Sequence, residues 1–140
     1  MLKAEELSIG DWVNVLNYHW DGRPYTGQVD GITKKHGTYY LQFGSALSAE
    51  IDRCEPIPIT PEILERNGFK PIYHDDKSAY KWKEYDDDDN YQSVIIDFRV
   101  KRASEVWNDK TKKSYKGEIH YLHELQHILK LCGITKTIEP

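Results

Sequence analysis

The sequence predicts an α+β protein of two modules. We expect an N-terminal SH3-like small β-barrel over residues 1–58 and an α+β module over residues 59–140. Three observations lead to this prediction. A chain of 140 residues suits one domain or two very small modules. Ten Tyr and four Trp against a single Met favour sheet. Gly, Asp and Pro turns also divide the chain into short alternating segments.

The N-terminal module is predicted from four or five short strands. They run through "DWVNVL", "QVDGIT", "HGTYYLQF" and "SAEIDRC", and "DGRPYTG" reads as turn material. Such spacing is typical of a small antiparallel barrel, and the entry "GDWV" and exit "EPIPIT" resemble an SH3-like barrel. Barrels of this kind often bind ligands through loop aromatics, so Tyr18, Trp20 and Tyr25 are candidate partner-binding residues. The alternative is that these aromatics are half-buried packing residues.

A short helix over residues 61–67 is predicted to link the modules. Thr60 is a good N-cap, and Pro61 fits the first helical position, where its missing N–H is harmless. Gly68 can adopt the left-handed conformation that ends a helix, and Phe69 can fold back onto it.

An antiparallel sheet is predicted to follow the helix. "KPIYHDD", "SAYKWKEY" and "YQSVIIDFRV" alternate as strands, with Val94, Ile96, Phe98 and Val100 on one side of the third. "ASEVWND" adds a further strand, and "KTKKS" reads as a turn. The acidic run "DDDDN" between two strands is predicted to form a hairpin loop.

A C-terminal helix over about 119–132 is predicted to cover the sheet, because Leu122, Leu125 and Leu129 share one helical face. Its opposite face should carry three histidines that look towards water: His120, His123 and His127.

That helix contains the pentapeptide "HELQH", which fits the zinc-hydrolase pattern H-E-x-x-H. His123 and His127 would be the metal ligands, and Glu124 the general base. A catalytic zinc needs a third protein ligand, and the extended pattern would place Gly at 130 and His at 133, where the chain has Lys and Gly. We therefore expect a non-enzymatic protein without metal or cofactor, and a zinc hydrolase remains the alternative.

Charge is unevenly distributed along the chain. Residues 1–98 hold ten Lys/Arg and 18 Asp/Glu, a net charge of −8, whereas residues 99–140 hold nine and five, a net charge of +4. The acidic body favours docking onto a basic protein over general nucleic-acid binding. The candidate contacts are Asp86, Asp87, Asp88 and Asp89 of the hairpin loop. A second alternative is a nucleic-acid-binding module that uses Arg99, Lys101, Arg102, Trp107, Lys110, Lys112, Lys113 and Lys116.

The cellular compartment and the absence of membrane association are predicted from the apolar runs and from the spacing of the cysteines. The longest aliphatic run, Val94-Ile95-Ile96, is far too short for a membrane span, and the N-terminus has no apolar signal-peptide region. Cys54 and Cys132 lie far apart without a CxxC partner, which favours reduced thiols. We expect a cytoplasmic protein without a membrane partner.

Three stretches together resemble a family of small uncharacterised proteins of Bacteroidetes-type prophages and mobile elements: "LSIGDWV", "EPIPITPEILERNGF" and "IHYLHELQHILKLCG". In that family the position matching His127 is commonly Asn, which implies that no catalytic histidine pair is inherited. The resemblance implies no known activity or cofactor. It suggests an accessory protein that binds a protein of its bacterial host, such as a defence nuclease.

Overall fold

The computed structural model describes residues 2–16, 24–44, 47–73, 76–100 and 102–140. The chain divides into two compact units, one of Met1–Ile57 with Pro140 and one of Pro58–Glu139. Both units are built mainly from antiparallel strands, and the second contains two α-helices, so the α+β fold class is confirmed. No helix in the described part of the chain is long and apolar enough to cross a membrane.

The N-terminal unit contains two three-stranded antiparallel sheets with the strand orders β2-β1-β6 and β3-β4-β5. Its strands are β1 (Trp12–Val15), β2 (Tyr25–Gln28), β3 (Gly31–Lys35), β4 (Thr38–Phe43), β5 (Leu47–Glu50) and β6 (Cys54–Pro56). The described strands do not close into a barrel, so the SH3-like barrel is not confirmed.

One apolar cluster holds this unit together. β1 alternates as predicted, with Val13 and Val15 buried and Trp12 half-buried. The buried side chains of the cluster are Leu2, Leu7, Val13, Val15, Val29, Leu41, Phe43, Ile51 and Cys54. Burial raises the pKa of the Cys54 thiol to about 11, and both cysteines of the chain are buried and unpaired.

The linking helix α1 (Pro61–Arg66) forms where the local signals predict it. The Thr60 hydroxyl accepts a hydrogen bond from the Ile63 N–H, which satisfies one of the exposed donors of the first turn. At the other end Gly68 has φ +86°, and the Phe69 N–H donates to the Leu64 carbonyl, the bond that defines a Schellman motif.

The C-terminal unit is a five-stranded antiparallel meander with the order β11-β10-β9-β8-β7. Its strands are β7 (Lys70–Tyr73), β8 (Asp76–Tyr85), β9 (Tyr91–Asp97), β10 (Ala103–Asn108) and β11 (Lys113–Glu118). One face is buried, with Tyr80, Val94, Ile96 and Val106 fully enclosed. The Tyr80 hydroxyl donates to the Glu65 carboxylate of α1, and burial together with this bond raises the pKa of Tyr80 to about 12.

The second helix, α2 (Leu122–Leu131), runs along β10 and packs on the buried face. Arg102, just before β10, donates to the His120 carbonyl at the start of the helix. Asn108, at the end of β10, donates to the Cys132 carbonyl just past its last turn. Leu122, Leu125 and Leu129 are each at most 1% exposed, so the predicted apolar face is confirmed.

Two expectations about this unit were wrong, and a third is confirmed only in part. The helix begins at Leu122, three residues later than predicted, because Tyr121 is extended, with φ −123° and ψ 152°. "KTKKS" forms the predicted turn only as far as Lys112, since Lys113 already pairs with Asn108 in β11. Val100 does not continue the apolar face of β9, because that strand ends at Asp97 and Val100 is 60% exposed.

Candidate functional site

The acidic run forms the tight loop between β8 and β9, as predicted. Tyr85 and Tyr91 are the last paired residues of the two strands, and five residues connect them. The Asp86 carboxylate closes the loop, because its Oδ1 accepts hydrogen bonds from the backbone N–H groups of Asp88 and Asn90, each at 2.9 Å. The Asp86 N–H in turn donates to the Asn90 carbonyl at 2.8 Å. One aspartate of the four is therefore a structural residue of the loop.

The electrostatics of Asp86 agree with this role. Partial burial disfavours its charged form, but the hydrogen bonds from Asn90 and Asp88 outweigh this effect and hold the pKa of the Asp86 carboxyl below its ordinary value. The carboxylate thus stays ionised and keeps the loop closed down to a lower pH than an isolated aspartate would.

The other three aspartates, Asp87, Asp88 and Asp89, are exposed, and we call them the acidic tip. Asp89 sits at φ +62°, a left-handed conformation that aspartate tolerates better than most residues. No hydrogen bond or ion pair to the carboxylates of the acidic tip is found within the described residues. Three solvated negative charges are thus presented on a loop of fixed shape.

Two tyrosines, Tyr85 and Tyr91, flank the loop that carries the acidic tip, and we call this pair the aromatic base. Tyr85 is 60% exposed, and its ring centroid lies 6.3 Å from that of the half-buried Tyr91. The Lys83 ammonium lies 5.0 Å from the Tyr85 ring centroid and 4.5 Å from that of Tyr91. The two tyrosines were missed in the sequence, although they flank the acidic run symmetrically in "EYDDDDNY". Aromatic residues are enriched at protein-binding surfaces, whose rims are polar.

The HELQH segment stabilises the fold at its three central positions. Glu124 Oε1 accepts hydrogen bonds from the backbone N–H groups of Tyr121 at 2.9 Å and His120 at 3.2 Å, which caps the start of α2. Leu125 is completely buried. Gln126 uses both ends of its amide to hold the chain that follows the helix, donating to the Lys136 carbonyl and accepting from the Ile138 N–H.

The two histidines of the segment do not form a solvated face. His123 is only 5% exposed, so the expectation that it looks towards water is wrong. Its ring stacks parallel on that of Tyr121, with centroids 6.0 Å apart, and meets the ring of the half-buried His127 edge-on at 5.9 Å. The start of the helix therefore encloses an imidazole between two other rings.

The chemistry of a zinc hydrolase does not follow from this arrangement. Glu124 already accepts two backbone hydrogen bonds, so its carboxylate is committed to the helix cap. Among the residues that the structure describes, no group of three or more His, Cys, Asp or Glu side chains is arranged to hold a metal ion.

Replacing Glu124 with alanine should lower the free energy of unfolding by about 1 kcal/mol, because two backbone donors of α2 lose their acceptor. Glu124→Gln, which keeps a side-chain oxygen, should recover most of this loss. Urea unfolding of the three proteins measures both effects. An alanine variant as stable as the parent protein would show that Glu124 has no capping role.

The basic segment does not form one surface. Arg99 and Arg102 lie at one end of β10, and Lys110 and Lys112 lie at the other, about 20 Å away for a strand of six residues. Several of the cations are already paired with neighbouring carboxylates. These pairs are Arg99 with Asp97 at 3.0 Å, Lys112 with Asp109 at 2.7 Å and Lys116 with Glu105 at 3.3 Å.

Arg99 is the most constrained of these cations. Its hydrogen bonds to Asp97 and to the Tyr73 hydroxyl raise the pKa of Arg99, and Arg99 in turn lowers the pKa of Asp97. Trp107 is half-buried, whereas Lys110 and Lys113 are exposed. Lys101 lies outside the described residues.

Of the three aromatic residues predicted to bind a partner in the N-terminal module, the structure describes only Tyr25. Tyr18 and Trp20 lie outside the described residues. Tyr25 begins β2, is 38% exposed, and meets the ring of Phe43 edge-on, with centroids 6.1 Å apart.

Comparison of this chain with protein-family models, with curated proteins and with solved structures gave no match.

Proposed function

We propose that this protein acts without catalysis, by binding a basic partner protein through the acidic tip and its aromatic base. The observation that carries the proposal is the loop closed by Asp86, which leaves Asp87, Asp88 and Asp89 exposed beside Tyr85. We keep the predicted partner contact for these three residues, whereas we assign Asp86 a structural role in the loop.

The fixed shape of the loop supports this proposal on energetic grounds. Binding immobilises side chains and loops at a cost of about 0.5–1.5 kcal/mol for each flexible side chain. Asp86 already holds the backbone of the loop through its three bonds to Asp88 and Asn90. The loop therefore loses less conformational freedom when a partner binds. Exposed Tyr85 also provides apolar surface next to the charges.

The sign of the charge favours a protein partner over nucleic acid. Phosphate backbones bind continuous basic surfaces, and the acidic tip would repel them at the end of the sheet that carries Tyr85, Tyr91 and Lys83. The basic residues that were the alternative are divided between the two ends of β10, and three of them are paired with carboxylates.

The partner class we propose is a nucleic-acid-binding protein of a bacterial host, such as a defence nuclease. Proteins of this class expose basic channels for phosphate, to which an acidic surface is electrostatically complementary. The net charge of −8 over residues 1–98 and the resemblance to prophage and mobile-element proteins support this choice. On this proposal the protein works in the host cytoplasm.

A calorimetric titration with a short arginine-rich peptide tests the chemistry of the acidic tip. We expect binding that weakens steeply as salt rises from about 50 to about 200 mM, because exposed charges are screened. A tip variant, Asp87→Asn/Asp88→Asn/Asp89→Asn, should bind about tenfold more weakly, since each exposed ion pair contributes about 0.2–1 kcal/mol. Asn tolerates the left-handed conformation required at position 89, and Asp86 is left intact.

The matched control removes the same charge from exposed acids of the N-terminal unit. This control variant, Glu5→Gln/Glu6→Gln/Asp52→Asn, should keep the parent affinity, because its residues are exposed but lie on other elements. Equal weakening in the tip and control variants would mean that net charge alone attracts the peptide, and the proposed site would be wrong.

A further inference from the structure

A concave site lies in the N-terminal unit beside β2, which is an edge strand among the strands that the structure describes. The cavity has a volume of about 500 Å³, and its lining includes the aromatic residues Trp12, Tyr25 and Phe43. Gln28 and Asp30 contribute polar groups to the same wall. This volume lies within the range of about 300–1,000 Å³ that is usual for small-ligand sites.

The rings of Tyr25 and Phe43 come together over Gly27 of β2, with centroids 6.1 Å apart. A Cβ at Gly27 would lie 2.5 Å from the Tyr25 ring and 2.8 Å from the Phe43 ring, closer than such atoms can approach. The strand pairing Trp12↔Gln28 places the indole opposite the glutamine at the same end of the edge. Gln28 is held in place by a hydrogen bond from its Nε2 to the Gly10 carbonyl at 2.9 Å.

Asp30 provides a fixed negative charge at this cavity. Its Oδ2 accepts a hydrogen bond from the Gly44 N–H at 2.6 Å, and its own N–H donates to the Gln42 carbonyl at 2.9 Å. The residue is exposed, and no cation of the described chain forms an ion pair with it. The carboxylate is therefore oriented by the backbone while its charge remains available.

The rim of the cavity is also unusual for a solvated surface. Ile9 is 64% exposed and Tyr25 is 38% exposed, so apolar area surrounds an opening that contains a carboxylate. The alkyl stem of a long cationic side chain could cover these apolar groups while its charged head reaches Asp30.

We propose that this cavity binds a cationic side chain, arginine or lysine, of an extended partner segment. Aromatic faces attract cations through their quadrupole, with a stabilisation of about 0.5–1 kcal/mol at exposed sites and more when water is excluded. Asp30 supplies the complementary charge, and the N-terminal stretch 1–58 as a whole carries eight acidic against five basic residues. This site uses none of the residues of the acidic tip, so each can fail without the other.

The test is an NMR titration of the full chain with a capped tripeptide Gly-Arg-Gly. We expect the amide signals of Gln28 and Gly44 and the indole N–H signal of Trp12 to shift together. The lysine tripeptide should shift the same signals. The citrulline tripeptide, which has nearly the shape of arginine without its charge, should bind at least about fivefold more weakly.

Asp30→Asn is the matched protein variant, because the amide oxygen can still accept the hydrogen bond from Gly44 and the fold is retained. It should weaken the arginine tripeptide about threefold or more. Asp52→Asn, an exposed acid elsewhere in the same unit, should leave the affinity unchanged. The tip variant should also titrate like the parent protein, which separates this site from the acidic tip.

Equal affinity for the arginine and citrulline tripeptides would overturn the proposal, since the cavity would then be a neutral apolar groove. Full affinity in Asp30→Asn, or shifts confined to the acidic tip, would overturn it as well.

Discussion

Replacing Ile138 with alanine should lower the free energy of unfolding by about 2–5 kcal/mol, the usual cost of emptying a fully enclosed aliphatic site. Ile138 is 1% exposed and Ile134 is 2% exposed, although both lie in a stretch without regular secondary structure. The stretch is fixed because side-chain amides replace the hydrogen bonds of a strand partner. Gln126 bonds to Lys136 and Ile138, and Asn67 both donates to and accepts from the backbone of Glu139.

Urea unfolding of Ile138→Ala and Thr137→Ala measures this effect. Thr137 is the exposed neighbour in the same stretch, and its replacement should change the free energy of unfolding by less than about 0.5 kcal/mol. Two variants of equal stability would mean that residues 134–139 do not pack in the core of the C-terminal unit.

Elements with local signals were predictable from the sequence. The segment "TPEILERNGF" contains its own start and stop, since Thr60 caps the first turn and Gly68 ends the last one. The second helix ends by the same device, with Gly133 at φ +76° and the Ile134 N–H donating to the Leu129 carbonyl. Such contacts join residues that are close in the sequence, so one short stretch contains all the groups that form them.

Elements defined by distant partners were not predictable in the same way. The first two residues of β11, Lys113 and Ser114, read as part of a turn, and they belong to a strand only because they pair with Asn108 and Trp107 of β10. The burial of His123, which packs against the rings of Tyr121 and His127, is likewise not indicated by the helical pattern. The bonds between Asn67 and Glu139 join residues 72 positions apart, which no local pattern indicates.

The candidate site was predictable in part. An acidic run between two alternating segments indicated a hairpin loop, and this is what forms. The separate role of Asp86 was not visible, because all four aspartates look alike until the backbone of the loop is in place. HELQH misleads for a related reason: capping a helix and activating water both call for a glutamate near the helix start, so a short motif does not separate them.

The central claim is that the exposed carboxylates of the acidic tip select a protein partner. Neutralising Asp87, Asp88 and Asp89 should abolish capture of that partner, since the three charges act together at the tip and Asp86 keeps its shape in the variant. The control variant at Glu5, Glu6 and Asp52 loses the same number of charges from exposed positions of the other unit. Comparison of the two therefore separates the site from the net charge.

The most direct measurement is affinity capture from a bacterial host lysate at low salt, with the parent protein, the tip variant and the control variant as baits. We predict a basic protein that is retained by the parent and control baits, is absent from the tip-variant bait, and is released as salt is raised. Capture of the same proteins in the same amounts by the parent and tip-variant baits would contradict the claim.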